Sequence, residues 1–336
     1  MNNLTIVSNE RVSINKNQEF KSTNLDLQVL PDELNLNYNV HCIFRKSNNE
    51  KNHKFRIKNI KAESNIINFL WEILKSVFRK KNRYLIVAIS PYTFLSFIIL
   101  FICRKKIYVY LMSNGFEEYK HILGNKFVWI YTLMFKFITK FSKVIVCHER
   151  LYDKNKSYIV SPSRLNSNWF QNISMPNLSS AKFLYVGRIN PEKGIENFID
   201  LFLTSKLDGK LFIAGNTEKL KIEDNKVNLL GYIDSEIELI KKYDECNITI
   251  LPSYTEAHPY VLEESLARKR PILIFEDISY VKKDKYGVFV IKRNFEELVS
   301  STKHILENYS NIQKDMERNK LPTLEGMVKD FSKILD

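Results

Sequence analysis

Residues 84–103 read YLIVAISPYTFLSFIILFIC, twenty residues without a charge between Arg83 and Arg104. A run of that length is either a membrane span or the buried centre of a parallel sheet. Its internal order favours the sheet. Residues 84–89 are rich in β-branched types, Ser90-Pro91 is a strand-to-helix break, and 92–103 make only about three turns of apolar helix. Arg104-Lys105-Lys106 then leads into a second strand-like run, 107–112. Strand, helix and strand of these lengths form a βαβ unit, in which buried parallel strands read as continuous apolar runs.

The same alternation extends in both directions. Strands are expected at 3–7, 39–44, 84–89, 107–112 and 143–147, with helices near 24–35, 63–79, 92–103 and 117–138. A polar, proline-containing stretch follows, and the alternation restarts. Its strands are 182–186, 210–214, 226–230, 247–251 and 271–275, and its helices 194–204, 234–243, 260–268 and 294–307. At ~150 residues per domain, 336 residues make two domains. The expected division is 1–165, a linker at 166–180, a second domain at 181–318, and a C-terminal helix at 319–336 that packs back on the first domain. Both domains read as Rossmann-like, doubly wound α/β. Apolar residues at 44% and charged residues at 26% exclude wholesale disorder. Cys42, Cys103, Cys147 and Cys246 stand far apart, which supports neither a zinc cluster nor a disulfide framework. The N-terminus has no basic region followed by an apolar core, so export is not expected.

Charge divides the chain in the same place. Residues 1–178 carry 27 basic and 12 acidic side chains, whereas 179–336 carry 24 and 26. Such a first half attracts anions: nucleic acid, anionic headgroups or a phosphorylated substrate. No RNP-like, helix-turn-helix or zinc signature supports nucleic acid.

Ligands of doubly wound sheets bind at the carboxyl ends of strands. Strand 182–186 ends in Gly187-Arg188, then Asn190-Pro191-Glu192-Lys193-Gly194 and an amphipathic helix. Two cations five residues apart beside a helix start form a phosphate or diphosphate site. Strand 247–251 is followed by Glu256 and Glu264 with seven residues between them. With Pro259 in the first helical turn, the N–H groups of Tyr260 and Val261 face an anion. Glu256 projects into the cleft, and Glu264 accepts from a diol about a turn and a half further on. Glu263, rotated ~100° round the helix, points elsewhere.

Taken in order, FLYVGRINPEKGIENFI, LFIAGN, VNLLGYI, ITILPSYTEAHPYVLEESLARKRPILIF and YGVFVIKRNFEELV span nearly all of 182–308. This set resembles the retaining family-4 glycosyltransferases of the GT-B fold, the glycosyl transferases group 1. The resemblance implies two Rossmann-like domains facing a central cleft and a nucleotide-sugar donor, UDP- or GDP-linked, with no cofactor. By position, Arg188 and Lys193 match the family's diphosphate-binding Arg and Lys, and Glu256 and Glu264 its E-x7-E pair. That places Glu256 at the donor sugar and Glu264 on the nucleotide ribose. Gly231-Tyr232-Ile233 matches the segment whose backbone meets the base, so Ile233 joins the donor site. So does Asn216, which follows Gly215 where a second glycine is common. Ala257-His258-Pro259 replaces the usual small glycine-containing run, and Val7-Ser8-Asn9-Glu10 replaces a glycine-rich turn after the first strand.

The first half resembles the family in architecture alone. Asn114, Glu117, Glu118 and His121 follow its fourth strand and face the cleft as acceptor-side candidates; His258 touches donor or acceptor. His148 is a weaker candidate. No Asp-x-Asp motif stands in a metal-holding context, so the expected metal ligands are none, and transfer is expected to be metal-independent with retention. The aromatic and basic run 125–143 has the composition of a helix lying on a membrane surface. These features point to a hexosyltransferase-class enzyme, cytoplasmic and peripheral on the inner face of the cell membrane. Its acceptor is a glycan, lipid-diphosphate-linked, in bacterial surface polysaccharide synthesis of the O-antigen or capsule type. The alternatives are a non-catalytic nucleotide-sugar-binding protein and a nucleotide-sugar epimerase or hydrolase.

Overall fold

In the computed structural model the uncharged run folds as strand, helix and strand. The structure describes residues 1–336 apart from Lys16, Glu50, Asn52, Lys154 and Ala257, and apart from the side chains of Asp26, His121, Ile122, Leu123 and Lys219. The chain forms two units, Met1–Pro162 with Leu324–Asp336, and Ser163–Thr323.

The first unit begins with β1 (Asn3–Ile14), β2 (Phe20–Ser22), α1 (Leu25–Leu34), β3 (Asn39–Lys46), β4 (His53–Lys54), β5 (Ile60–Glu63) and α2 (Ile66–Val77). It continues with β6 (Asn82–Val87), α3 (Pro91–Ile102), β7 (Lys106–Leu111), α4 (Gly115–Leu123), α5 (Val128–Phe141), β8 (Lys143–Val146) and β9 (Ser157–Ile159). Parallel pairing gives the order β5-β3-β1-β6-β7-β8-β9. Tyr84, Leu85 and Ile86 in β6 are wholly buried. Ser90 then starts α3: its hydroxyl accepts from Thr93 N–H, the Thr93 hydroxyl returns the bond, and Pro91 takes the first turn, where its missing N–H is harmless. Twelve residues at ~1.5 Å each span about 18 Å, short of a bilayer's ~30 Å. No described helix is long and apolar enough to cross a membrane.

Several elements differ from expectation, among them the unanticipated strands β2, β4, β5 and β9. The first strand does not turn at Val7-Ser8-Asn9-Glu10. It shifts register between Val7 and Arg11 and runs on to Ile14, where it pairs antiparallel with β2. The single helix expected at 117–138 is two, because Gly124 takes φ +81°, a conformation that ends α4. The C-terminal helix, Leu324–Leu335, joins α1 on one face of the sheet, with Phe331 edge-on to Tyr110 at 5.0 Å. Tyr108 donates to Leu335 O at 3.0 Å, and Arg83 pairs with Asp336 at 3.1 Å.

The second unit contains β10 (Ala181–Val186), α6 (Ile195–Thr204), β11 (Gly209–Ala214), β12 (Val227–Gly231), α7 (Glu236–Glu245), β13 (Ile248–Leu251), α8 (Tyr260–Ala267), β14 (Ile272–Phe275), β15 (Val288–Ile291), α9 (Phe295–Glu307) and α10 (Tyr309–Met316). Its sheet is parallel in the order β12-β11-β10-β13-β14-β15. Much of the stretch expected as a linker is bound to this unit by two wholly buried arginines. Arg268 donates to the carbonyls of Trp169, Gln171 and Asn172 and pairs with Asp244 at 2.6 Å; Arg270 donates to Ser174 O at 2.8 Å. Backbone carbonyls that helix and sheet leave unused thus become the ligands of two guanidinium forks. Arg268→Ala leaves Asp244 with only the 3.4 Å contact to Arg270, removes the shared donor of three carbonyls, and is expected to destabilise the protein by about 3 kcal/mol in urea unfolding. Arg268→Lys should recover only part of the loss, because an ammonium cannot reproduce the fork.

Candidate active site

The strand order of the second unit reverses between β10 and β13. From β10 the chain proceeds to β11 and β12 on one side; from β13 it proceeds to β14 and β15 on the other. Segments leaving two adjacent parallel strands in opposite directions open a crevice at their carboxyl ends. Arg188 and Lys193 follow β10, and Glu256 follows β13.

Glycine lets the two loops meet. Gly194 sits at φ +63°, and a Cβ there would lie 2.3 Å from Pro252 O. Tyr254 N–H donates to Glu192 O at 2.9 Å, tying one loop to the other. Across this junction Lys193 Nζ lies 2.6 Å from Glu256 Oε1, and Ser253 Oγ donates to the same oxygen at 2.6 Å. The carboxylate is 8% exposed and the lysine 19%. Glu256 Oε2 makes no bond to another described residue. Tyr280 holds the backbone here, its hydroxyl donating to Glu256 O at 2.6 Å and accepting from Glu256 N–H at 3.0 Å.

Arg188 is exposed and makes no ion pair with a described residue. Its carbonyl, however, accepts from the Tyr185 hydroxyl at 2.6 Å, which fixes where the loop starts. Burial and then the Glu256 carboxylate push that hydroxyl far above its ordinary pKa, so it remains a donor.

Glu264 is 5% exposed on α8, and its Oε2 accepts from Tyr243 at 2.9 Å. Burial, and then the same carboxylate, hold the Tyr243 hydroxyl protonated. Pro259 is the residue before α8 rather than part of its first turn, with ψ 99° and no side-chain cap. Tyr260 and Val261 therefore open the helix, where backbone N–H groups lie outside the i→i−4 ladder. Glu263 turns away from Glu264 but stays inside: its Oε1 is 3.3 Å from His258 Nε2, and Lys285 is near enough to feel its charge. Burial lowers the Lys285 pKa against that attraction.

Asn216 caps the turn after β11, accepting from Glu218 N–H at 3.3 Å, and Ile233 is half-buried just past β12. Gly215 reaches this edge only without a side chain, since a Cβ would lie 2.1 Å from Gly187 O. In the first unit, Asn114 caps α4, accepting from Phe116 N–H at 3.2 Å. Glu117 and Glu118 are exposed; Glu117 lies 3.9 Å from Lys120. His148 accepts from Arg150 N–H at 3.1 Å. The His121 side chain lies outside the described residues. No group of three or more His, Cys, Asp or Glu among the described residues is placed to hold a metal ion.

Two site residues escape a reading by motif. Arg293 donates to the carbonyls of Pro252 and Ser253 at 2.9 and 3.2 Å and lies 4.0 Å from the Tyr254 ring, so it supports the Glu256 loop from about forty residues away. Arg164 lies 4.0 Å over the Tyr260 ring at the start of α8. Neither has a local sequence signal, because both partnerships are tertiary.

The glycosyl transferases group 1 family matches residues 170–321. No curated protein sequence matches the chain significantly. Among solved structures, HepE of Anabaena, seen with UDP and glucose, superposes with a TM-score of 0.70 at 10% identity, covering 100% of this chain and 99% of that one. Sucrose-phosphate synthase from Thermosynechococcus elongatus gives 0.66 at 14%, covering 99% and 98%. The lipopolysaccharide outer core galactosyltransferase WaaB gives 0.61 at 12%, covering 98% of both. Identities this low establish the fold alone, the GT-B fold of these glycosyltransferases, and the match to the glycosyl transferases group 1 family lies wholly within the second unit.

Proposed function

We propose that the enzyme moves a hexosyl group from a UDP- or GDP-sugar to a glycan hydroxyl, with retention of anomeric configuration and without a metal ion. The observation that carries this reading is the junction of Lys193 and Glu256 at the strand-order reversal, with exposed Arg188, which makes no ion pair with a described residue, in the loop that leads to Lys193. Arg188, Lys193 and the Val261 N–H supply positive charge where a diphosphate leaves, the kind of preorganised stabilisation that needs no ion of its own. Glu256 offers Oε2 to the donor sugar while Lys193 and Ser253 hold Oε1. Glu264 takes the ribose diol, with Tyr260 at the start of its helix, and the Asn216 and Ile233 segments border the base. The C1–O bond to the diphosphate breaks, the acceptor oxygen bonds to C1 from the same face, and its proton passes to the departing phosphate oxygen.

We assign acceptor contacts to Asn114, Glu117 and His121 of the first unit, and contact with donor or acceptor to His258 of the second. Its excess of cations suits a lipid-diphosphate-linked glycan, and we assign the enzyme to bacterial surface polysaccharide synthesis of the O-antigen or capsule type, peripheral on the inner face of the membrane. Similarity of fold to a lipopolysaccharide galactosyltransferase supports that assignment.

A panel of UDP- and GDP-sugars is expected to raise the melting temperature for one base. Arg188→Ala should weaken that binding roughly tenfold or more, the scale of a lost hydrogen bond to a charged group, and leave the ligand-free melting temperature unchanged because the side chain is exposed. An unaltered shift in that variant would overturn the assignment. Glu256→Gln should keep donor binding and lose transfer, whereas a sensor or binding protein would be indifferent to it. Proton NMR of the first-formed product should show the donor's anomeric configuration. Tyr243→Phe removes the 2.9 Å bond that orients Glu264 Oε2; KM for the donor should rise several-fold with kcat nearly constant, the pattern of uniform binding lost.

A further inference from the structure

Helices α2, α3 and α5 lie side by side on one face of the first unit's sheet, since each makes a right-handed crossover in the same direction along it. Their inner sides fill a core with Phe69, Ile73, Phe97, Leu100, Met134 and Ile138. Their outer sides are also apolar. On α2 and just past it, Ile67, Trp71, Leu74 and Phe78 follow helical spacing, with Phe78 87% exposed. On α5, Trp129, Leu133, Phe137 and Phe141 repeat every four residues, with Trp129 61% exposed. Between them, Phe101 of α3 reaches Phe137 and Phe141, ring centroids 6.1 and 5.0 Å apart, and Ile102 stands 72% exposed. Single exposed apolar side chains are ordinary, but stripes on three adjoining helices are not.

Charge selects the occupant. Residues 66–143 contain thirteen Lys and Arg against Glu72, Glu117 and Glu118. Arg79-Lys80-Lys81 follows α2, Arg104-Lys105-Lys106 follows α3, and Lys140 and Lys143 close α5. The three helices run the same way, so these clusters lie along one edge of the apolar face. A second copy of the chain would bring like charge against like. An anionic bilayer meets both features, with tryptophans at headgroup depth and cations along lipid phosphates.

We propose that the α2–α3–α5 face docks on anionic lipid, lying in the interface without crossing it. This deepens, and rests on, the reading of a peripheral enzyme. The test is flotation of the full chain with phosphatidylcholine vesicles, with or without phosphatidylglycerol, at low and high salt. Anionic vesicles should bind and neutral ones fail. Trp71 and Trp129 are two of the three tryptophans and the third, Trp169, is buried, so emission should shift blue when anionic vesicles are added. Combined Trp71→Ser, Phe78→Ser and Trp129→Ser should lower binding by about tenfold or more. Lys80→Gln and Lys81→Gln should lower it about fivefold each, and less at high salt. In all these variants the thermal shift with nucleotide sugar should stay intact. Equal flotation with neutral vesicles, or a triple variant that floats like wild type, overturns the proposal. So does a triple variant that converts a dimer to a monomer by light scattering. Failure of the acceptor reading would look different: wild-type protein would float and bind donor, yet transfer no sugar to a lipid-diphosphate acceptor.

Discussion

The contact between Lys193 and Glu256 joins the two loops that leave the centre of the second sheet, and the rest of the site is arranged around it. A carboxylate that is 8% exposed needs compensation, and here it receives an ammonium and a hydroxyl on one oxygen. Tyr280 and Arg293 fix the backbone beneath it, and Gly194 permits the approach. The ion pair does more than stabilise. It also holds an ammonium and a carboxylate at fixed positions in the crevice, each restrained by the other.

Charge is partitioned unevenly between the units. The second unit is close to neutral and concentrates a few cations at one crevice, some supported by side chains far away in sequence. The first unit carries a broad excess of cations, and its two helical faces have opposite characters. One face is closed by α1 and the C-terminal helix, whose Phe331 is fully buried. The other leaves aromatic stripes exposed above a well-packed core.

Much of the architecture was legible because parallel strands buried on both faces leave unbroken apolar runs, as at 84–89 and 107–112. Capping chemistry was legible at Ser90-Pro91 for the same local reason. The boundaries that were missed depend on backbone geometry with little compositional trace. Gly124 splits one apparent helix in two, and β1 slips register and continues where a turn was expected. Within the site, Arg188, Lys193, Glu256 and Glu264 were visible as charged residues at strand ends and on a helix. Pro259 was misplaced by one position, because its fixed φ suits the residue before a helix as well as the first turn.

By itself the sequence determined two α/β units, the division of charge between them and the charged residues that follow the strands of the second unit, all of which are read from local periodicity and composition. Tertiary structure alone decided that Arg268 and Arg270 would bind the 169–174 backbone, that Arg293 would brace the Glu256 loop, and that Tyr243 would hold Glu264. It also decided which apolar residues of α2, α3 and α5 face outward. The reason is the same in each case: a side chain's partner across the fold is set by how strands are ordered in the sheet, and that order leaves no periodic mark on the chain.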